Sequence, residues 1–475
     1  MNSKKSIKVN FIMNVLLTAS SIIFPLITFP YISRILLPTG TGKVAFATSI
    51  ISYFSMLSAL GIPTYGIRVC AGVRDDKNKL SKIVHEIFLI NLITTALTYI
   101  LFFICLALIP QLHQDKNLYI ICSSTLLFNL LGMEWLYKAL EEYSYITTRS
   151  IVFKIAALFL MFLLVHTESD YLIYGAITIL AGVGSNIINF INIRKHINIS
   201  YCGPYNYRHH LKPIITFFAL SVSATIYTNL DIVMLGFMKD ELAVGYYNSA
   251  VKVKIILVAF VTSLSAVLLP RSSYYVEKKL TNRLLELASK SIQFVILTSL
   301  PLIFYFTIMA KDSILFLSGP AFYGSIRPMQ IIIPTILFIG LTNVMGIQLL
   351  VPLGKEKLVL YSTILGALID TLINLILIPN LGAEGAAIGT LIAEFSVLIL
   401  QIAFLRSNIK ILFKGLQPMK LIMSLLFSTL LLKFSNVNSG IILVNLIITS
   451  LIFFGTYLVS LKFIFNYDFN PSNNF

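Results

Sequence analysis

The chain has 475 residues, of which 57% are hydrophobic and only 12% are charged, and its formal net charge is +16. A soluble globular protein carries roughly 25% charged residues, so this composition excludes an ordinary soluble domain. The basic balance does not indicate nucleic-acid binding, because the Lys and Arg residues lie in short loops between long apolar runs. Lipid is therefore the expected surrounding of most side chains.

Apolar runs that are long enough to cross a bilayer occur about fourteen times along the chain. The first run is longer than a signal-peptide core of about 7–15 residues and indicates a retained helix. The sequence therefore predicts an all-α polytopic membrane protein with about fourteen transmembrane helices. The predicted spans are 9–33, 44–66, 83–110, 117–138, 150–166, 171–193, 213–236, 243–269, 291–310, 326–351, 358–379, 384–405, 418–434 and 439–461.

The distribution of positive charge supports this topology. With the N-terminus in the cytoplasm, the cytoplasmic loops hold most of the 36 Lys and Arg residues, as the positive-inside rule requires. One missing or extra helix would reverse every later loop, so both termini are predicted to be cytoplasmic. The loops contain no nucleotide-binding motif and no soluble domain, which favours a transporter that uses no ATP over an enzyme.

Four cysteines are present, and no pair of them has disulfide or metal-ligand spacing. Cys202 is close in sequence to His196, His209 and His210, but this spacing matches no ligand pattern. The sequence therefore predicts no metal site and no cofactor.

Weak internal repeats suggest two six-helix halves of the same orientation. Gly132 followed by Glu142 is echoed by Gly346 followed by Glu356, and both pairs lead into a short basic loop. The predicted organisation is an N-terminal half over 1–212, a C-terminal half over 213–420, and two additional helices with a short cytoplasmic tail over 421–475.

Ionisable residues inside the predicted spans are functional candidates, because a charge in lipid costs a few kcal/mol. Lys252 and Lys254 point about 200° apart on a helix, so only one of them can face a cavity, and Lys252 is preferred. The alternative is that both lysines belong to the helix end. Asp231 forms either a structural ion pair or a site for substrate or coupling ion. The full set is Glu134, Lys154, Asp231, Lys252, Lys254, Asp370 and Glu394.

The first predicted helix contains Pro25 and Pro30, which predict either a hinge or a static kink. Arg34 at its end is either an interfacial anchor or a substrate contact. This helix has no Asp or Glu between Val9 and Tyr31.

Neutral side chains could contact sugars. Trp135, the only tryptophan, offers an aromatic plane, although anchoring at the membrane interface is its alternative role. The candidate glycan contacts are Trp135, Tyr247, Asn248 and Gln348, with Asn129 and Asn186 as further positions.

Several motifs resemble one known family. They are Phe29 to Gly42, Tyr53 to Arg68, Glu134 to Tyr137 running on to Arg149, Asp231 to Gly236 with Val244 to Asn248, and Pro270-Arg271. In this order they are similar to signatures of bacterial polysaccharide repeat-unit flippases, which belong to the multidrug/oligosaccharidyl-lipid/polysaccharide exporter superfamily. The resemblance extends from residue 9 to about residue 405.

The resemblance implies two six-helix bundles around a central cavity, with two further helices. It also implies translocation of undecaprenyl-pyrophosphate-linked oligosaccharides across the bacterial inner membrane for O antigen or capsule, by alternating access driven by an ion gradient. The expected ligands are the lipid-linked substrate and membrane lipid. The expected protein partners are a polysaccharide polymerase and a chain-length regulator.

An anionic pyrophosphate that crosses a region of low dielectric constant needs cations as partners. The predicted contacts are Arg34, Lys154, Lys252 and Arg271. The coupling or ion-pair candidates are Asp231, Glu134 and Asp370.

Three alternatives stay open. A drug or lipid II exporter could use the same fold, although drug exporters of the superfamily often have an acidic residue in the first helix, which this chain lacks. A glycan polymerase or membrane glycosyltransferase usually has a large periplasmic loop or an acidic pair near the first outside loop. A metabolite carrier with inverted repeats would not have halves of the same orientation.

Overall fold

The structure is a computed structural model, in which we describe residues 7–200, 203–435, 437 and 439–467. In these residues every regular element is a helix and no β-strand occurs. The predicted all-α architecture is therefore confirmed. Cys202 and most of the predicted C-terminal tail lie outside the described residues.

The chain forms two compact units, Met1–Gly245 and Tyr246–Phe475. The first unit contains ten helices in its described residues and the start of an eleventh, α11 (Glu241–Glu277). The ten are α1 (Ile7–Ala59), α2 (Ile62–Ala71), α3 (Lys77–Leu108), α4 (Pro110–Gln114), α5 (Lys116–Gly132), α6 (Glu134–Ala139), α7 (Tyr143–Leu164), α8 (Tyr171–Ile179), α9 (Asn186–Asn192) and α10 (Tyr207–Met238). A π-helical turn, Leu180–Gly184, lies between α8 and α9.

The second unit continues α11 and adds nine helices in the residues that the structure describes. They are α12 (Thr281–Ile308), α13 (Ala310–Ser318), α14 (Ile326–Ile332), α15 (Thr335–Thr342), α16 (Glu356–Leu381), α17 (Ala383–Phe404), α18 (Ile409–Leu412), α19 (Pro418–Phe434) and α20 (Ile442–Val459). π-Helical turns occur at Asn343–Leu350 and Ser460–Ile464.

The length of α1 is explained by a break within it. A straight helix of its 53 residues would be about 80 Å long, whereas the hydrocarbon core is about 30 Å thick. The break is at Leu37 (φ 55°, ψ −179°), directly before Pro38. Proline disfavours helical geometry in the residue before it, so α1 consists of two segments, 7–36 and 38–59. They overlap the first two predicted spans, although the second predicted span extends beyond Ala59 into α2. Pro25 and Pro30 lie inside the first segment, where the backbone stays helical.

Within the described residues, ten helices are long and apolar enough to cross a membrane, and the bent pair Pro320–Ile332 and Thr335–Leu350 makes an eleventh. The other predicted spans also have helical counterparts. The two segments of α1 account for two spans, and α5 and α19 are apolar helices of 17 residues each. The predicted polytopic membrane architecture is confirmed. Length alone gives fewer helices than the fourteen predicted spans, because α1 contains two spans and because α5 and α19 are short.

Each unit exposes large apolar side chains on its outer helix faces. Leu97, Phe159 and Leu163 are exposed in the first unit, and Leu372 and Leu451 are exposed in the second. Such surfaces are stable in contact with lipid rather than water.

The two C-terminal helices pack against α12. The Tyr305 hydroxyl donates to the Leu446 carbonyl at 2.8 Å, and the Tyr305 ring contacts Phe453 and Phe454 of α20. The predicted additional helices are thus part of the second compact unit. The predicted boundary at 212/213 concerns repeat symmetry and stays a prediction.

Candidate functional site

A cavity of about 670 Å³ lies inside the first unit. Its walls come from α1, α2, α3, α5, α6, α8, α9 and α10, and from the π-helical turn between α8 and α9. Many of the side chains that line it carry a hydroxyl or carboxamide group. These are Thr48, Ser52, Ser55, Ser58, Asn91, Thr125, Asn129, Thr178, Asn186, Ser221, Thr225 and Asn229.

Helical periodicity explains why these polar residues share one cavity. On α10, Ser221, Thr225 and Asn229 recur every four residues, so they lie on one face. On α1, Thr48, Ser52 and Ser55 are spaced by four and three residues and so also share one face. The Nδ2 atom of Asn129 on α5 donates to the Ser55 hydroxyl at 3.1 Å. Polar stripes on otherwise apolar helices therefore face the inside of the unit.

Trp135 forms part of one wall and is 5% exposed. A Cβ atom at Gly66 would lie 2.6 Å from Cε3 of Trp135, so the indole lies directly against the α2 backbone. The Trp135 Nε1 and Asn91 Oδ1 atoms are both buried and have no hydrogen-bond partner among the described residues. Two wall residues thus offer one unused donor and one unused acceptor.

The charged residues among the described lining side chains are Glu134 and Lys138, one helical turn apart on α6. Oε1 of Glu134 lies 2.8 Å from Nζ of Lys138. Behind this pair, Nη2 of Arg149 lies 3.9 Å from Oε2 of Glu134. Nη1 of Arg149 donates to Ser185 at 2.9 Å and to Asn186 at 3.0 Å.

The other predicted residues of the first unit are not among the described residues that line the cavity. Arg34 is exposed, and its guanidinium donates to the Pro30 carbonyl one turn earlier. Nζ of Lys154 donates to the hydroxyls of Ser20 and Ser21 of α1, at 2.8 Å each. Asp231 is half-buried in the last part of α10.

Four of the predicted substrate contacts belong to α11 in the second unit. Tyr247 is buried, and its hydroxyl lies 2.8 Å from the Thr390 hydroxyl, whereas Asn248 and Lys252 are half-buried. Arg271 is exposed near the end of α11, and its Nε donates to the Tyr275 hydroxyl at 2.8 Å.

Asp370 and Gln348 are buried in the second unit. Asp370 accepts a hydrogen bond of 3.2 Å from Asn374, where α16 packs closely against Gly389 of α17. Both polar atoms of the Gln348 side chain lack a partner among the described residues. The structure thus brings Glu134 and Trp135 together at one cavity and places Asp370 and Gln348 in the interior of the second unit.

A buried polar network that the sequence did not predict ties three helices of the first unit together. Nε2 of His210 lies 2.8 Å from Oε2 of Glu86, and its Nδ1 lies 2.6 Å from the Tyr65 hydroxyl. The Asn206 backbone N–H donates to the other Glu86 oxygen at 2.6 Å. The network joins α2, α3 and the first turn of α10.

Comparison with protein families gives one match over more than half of the chain. A family described as polysaccharide biosynthesis protein matches residues 7–276, a range that includes every residue lining the cavity. A relative from Escherichia coli (strain K12), named provisionally as an O-antigen transporter, is 27% identical over 421 residues, which cover 86% of this chain and 99% of the relative.

Two solved structures share the fold. One is a lipid II flippase MurJ in an inward closed conformation, with a TM-score of 0.73 and 16% sequence identity. The alignment covers 96% of this chain and 99% of the MurJ chain. An inward-facing multidrug resistance MATE family transporter of the MOP superfamily has a TM-score of 0.64 at 14% identity, over 85% of this chain and 99% of its own. At these identities the likeness shows the fold alone.

Proposed function

Because this chain belongs to the polysaccharide biosynthesis protein family, we propose that it is a flippase for undecaprenyl-pyrophosphate-linked oligosaccharide repeat units. It moves them across the bacterial inner membrane, with both termini in the cytoplasm, for assembly of O antigen or capsule. The relative named provisionally as an O-antigen transporter and the fold shared with a lipid II flippase support this proposal. The main support for the proposal is a cavity that is lined by hydroxyl and carboxamide groups and lies inside a unit with an apolar outer surface.

The chemistry of the cavity suits a sugar. Moving an unpaired polar group into hydrocarbon costs several kcal/mol, so a passing glycan needs hydrogen-bond partners along its path. Sugar hydroxyls both donate and accept, as do the Ser, Thr and Asn side chains of the walls. Trp135 adds an aromatic plane and Asn91 an unused acceptor.

The pyrophosphate needs cations as well. We keep Arg34, Lys154, Lys252 and Arg271 as its proposed contacts. Arg34, Lys154 and Arg271 already donate to oxygen atoms of the protein, so binding requires an exchange of partners.

We further propose that an ion gradient drives alternating access, with Asp231, Glu134 and Asp370 as coupling or ion-pair residues. A polysaccharide polymerase and a chain-length regulator would then use the translocated repeat unit in the periplasm.

The alternatives are lipid II and drug export. Lipid II carries the same lipid pyrophosphate, so the experiment includes it as a second substrate. A cationic drug is disfavoured because the first segment of α1 contains no acidic residue between residues 9 and 31.

The test is translocation in proteoliposomes. An undecaprenyl-pyrophosphate-linked oligosaccharide is loaded into one leaflet, and an impermeant glycan-cleaving enzyme reports its appearance in the other. We expect protein-dependent exposure that falls about tenfold in the double variant Thr125→Val/Thr225→Val, because two wall hydroxyls are lost with little change of shape. Thr216→Val is the matched control, since Thr216 is an exposed residue of the same helix α10.

Lys252→Ala, measured in parallel, tests the predicted cationic path and should also slow exposure. If the protein exposes no lipid-linked glycan in any ion gradient, the flippase proposal is wrong. If it exposes lipid II alone, the alternative substrate replaces the repeat unit.

A further inference from the structure

The charges around Glu134 do not balance. This single carboxylate is the partner of Lys138 at 2.8 Å and lies 3.9 Å from Arg149. Two cations therefore share one anion: Lys138 lines the cavity, whereas Arg149 lies behind its wall. Arg149 is buried and requires the carboxylate, so the half-exposed Lys138 can take an additional anion from the cavity.

Arg149 is fixed in place and has unused donor capacity. Its side chain is 6% exposed, and Nη1 donates to two neutral side chains, Ser185 and Asn186. Its Nε atom is buried and has no hydrogen-bond partner among the described residues. Glu134 can therefore approach Arg149 more closely when Lys138 takes another partner.

Lys138 supplies the mobile part of the cluster. Its side chain is 35% exposed and lines the cavity, and it is held by one ion pair on the short helix α6. Met133, in a left-handed conformation (φ 37°), separates α5 from α6 and so directs α6 towards the cavity wall. A half-exposed lysine can exchange its partner without breaking the packing of a helix.

We propose that Lys138 binds an anion at the cavity wall, and that Glu134 and the buried Arg149 behind it make this exchange of partners possible. This proposal rests on the proposed function for the identity of the ligand, which is an anionic oxygen of the lipid-linked glycan. On binding, the anion replaces Glu134 as the partner of Lys138, while Glu134 stays beside Arg149. Two ligand groups have this chemistry, a phosphate of the carrier lipid and a carboxylate of an acidic sugar.

Trp135 is a built-in reporter for this site. It is the only tryptophan of the chain, it lies between Glu134 and Lys138 in sequence, and it lines the same cavity. Its fluorescence in the full-length protein in detergent micelles is titrated with inorganic pyrophosphate and, separately, with glucuronate.

Two substitutions should change the affinity in opposite directions. Lys138→Met removes a cation and is expected to weaken pyrophosphate binding about tenfold. Glu134→Gln removes the competing carboxylate at constant size and should strengthen binding about threefold or more. Structural damage would weaken pyrophosphate binding in both variants, so opposite changes in affinity would identify the site. Lys79→Met is the control, because Lys79 is 73% exposed and pairs with Asp76.

Saturable quenching by pyrophosphate with opposite effects of the two variants supports the site and assigns it to phosphate. The same pattern with glucuronate alone assigns it to an acidic sugar. Failure of both ligands to bind, equal affinities in all variants, or weaker binding by Glu134→Gln would overturn the proposal.

The translocation assay separates this proposal from the flippase proposal. Opposite effects on pyrophosphate binding without any glycan translocation would leave the anion site standing and remove the proposed function. Translocation that neither substitution alters would leave the proposed function and remove the site.

Discussion

His210 and Ser221 lie on the same face of α10, because eleven residues correspond to about 20° beyond three helical turns. His210 is buried against Glu86 and Tyr65, and Ser221 lines the cavity. The polar network at the start of α10 therefore fixes the rotation of the helix that supplies one cavity wall.

The first prediction concerns this network. His210→Ala leaves the buried Glu86 without its imidazole partner and should lower the stability of the protein by about 3–5 kcal/mol. Thermal unfolding in detergent measures the effect. His209→Ala, at an exposed neighbouring position, should change little. The double variant Glu86→Leu/His210→Leu should be less damaging than His210→Ala, and a larger loss would contradict this account of the network.

The second prediction concerns the contact of Gly66 with Trp135. The added methyl of Gly66→Ala would lie 2.6 Å from the indole, so the ring must move. We expect a shifted tryptophan emission and slower glycan translocation in proteoliposomes. Gly72→Ala is the control at the end of the same helix, since its nearest neighbouring atom would be at 3.5 Å, an ordinary contact. Unchanged emission in Gly66→Ala would show that the two groups are not in contact.

The third prediction concerns the close approach of α1 to the start of α11. A Cβ atom at Gly42 would lie 1.8 Å from the Glu241 carbonyl oxygen, a backbone atom that no rotamer change can relieve. Gly42→Ala should therefore cost about 1–3 kcal/mol or prevent folding, as overpacking does. Expression and melting temperature are compared with Gly455→Ala, for which no atom lies within 4 Å. Equal stability of the two variants would contradict the close approach.

The fourth prediction concerns Leu37. Its φ of 55° with ψ of −179° belongs to a region that is essentially confined to glycine and costs about 1–3 kcal/mol for other residues. Leu37→Gly should keep or raise the melting temperature. Leu36→Gly, at a buried helical position one residue earlier, should lower it by several degrees. If both variants lose the same stability, the break does not lie at residue 37.

Much of the fold was predictable, because a membrane helix shows its length and polarity in a continuous run of residues. The helices, the polytopic architecture and the family all agree with the expectations from apolar runs and motifs. The break in α1 is at Leu37, directly before Pro38, whereas the backbone around Pro25 and Pro30 stays helical, so the prolines alone did not indicate where the chain breaks.

The site was predictable only in part. Glu134, Trp135, Asn129 and Asn186 were chosen from the sequence, and the structure brings them to one cavity. Lys138 was not among the predicted residues, although its position four residues after Glu134 was a signal of their ion pair.

The network around His210 was not predictable from one sequence. His210 and Glu86 are 124 residues apart, and their meeting depends on how α3 and α10 pack. Helix packing is set by the shapes of many side chains together, and no local pattern records it.

Which residues line this part of the cavity depends on the number of residues in the π-helical turn Leu180–Gly184. In such a turn each N–H bonds to the carbonyl five residues back instead of four, so it holds one residue more than an α-helical turn would. Deleting one residue there would restore α-helical spacing and rotate the following segment by about 100°. Asn186 would then leave the wall, and the 2.7 Å hydrogen bond from Asn189 to the Gly132 carbonyl would break. The one additional residue in this turn therefore determines which side chains of the segment line the cavity.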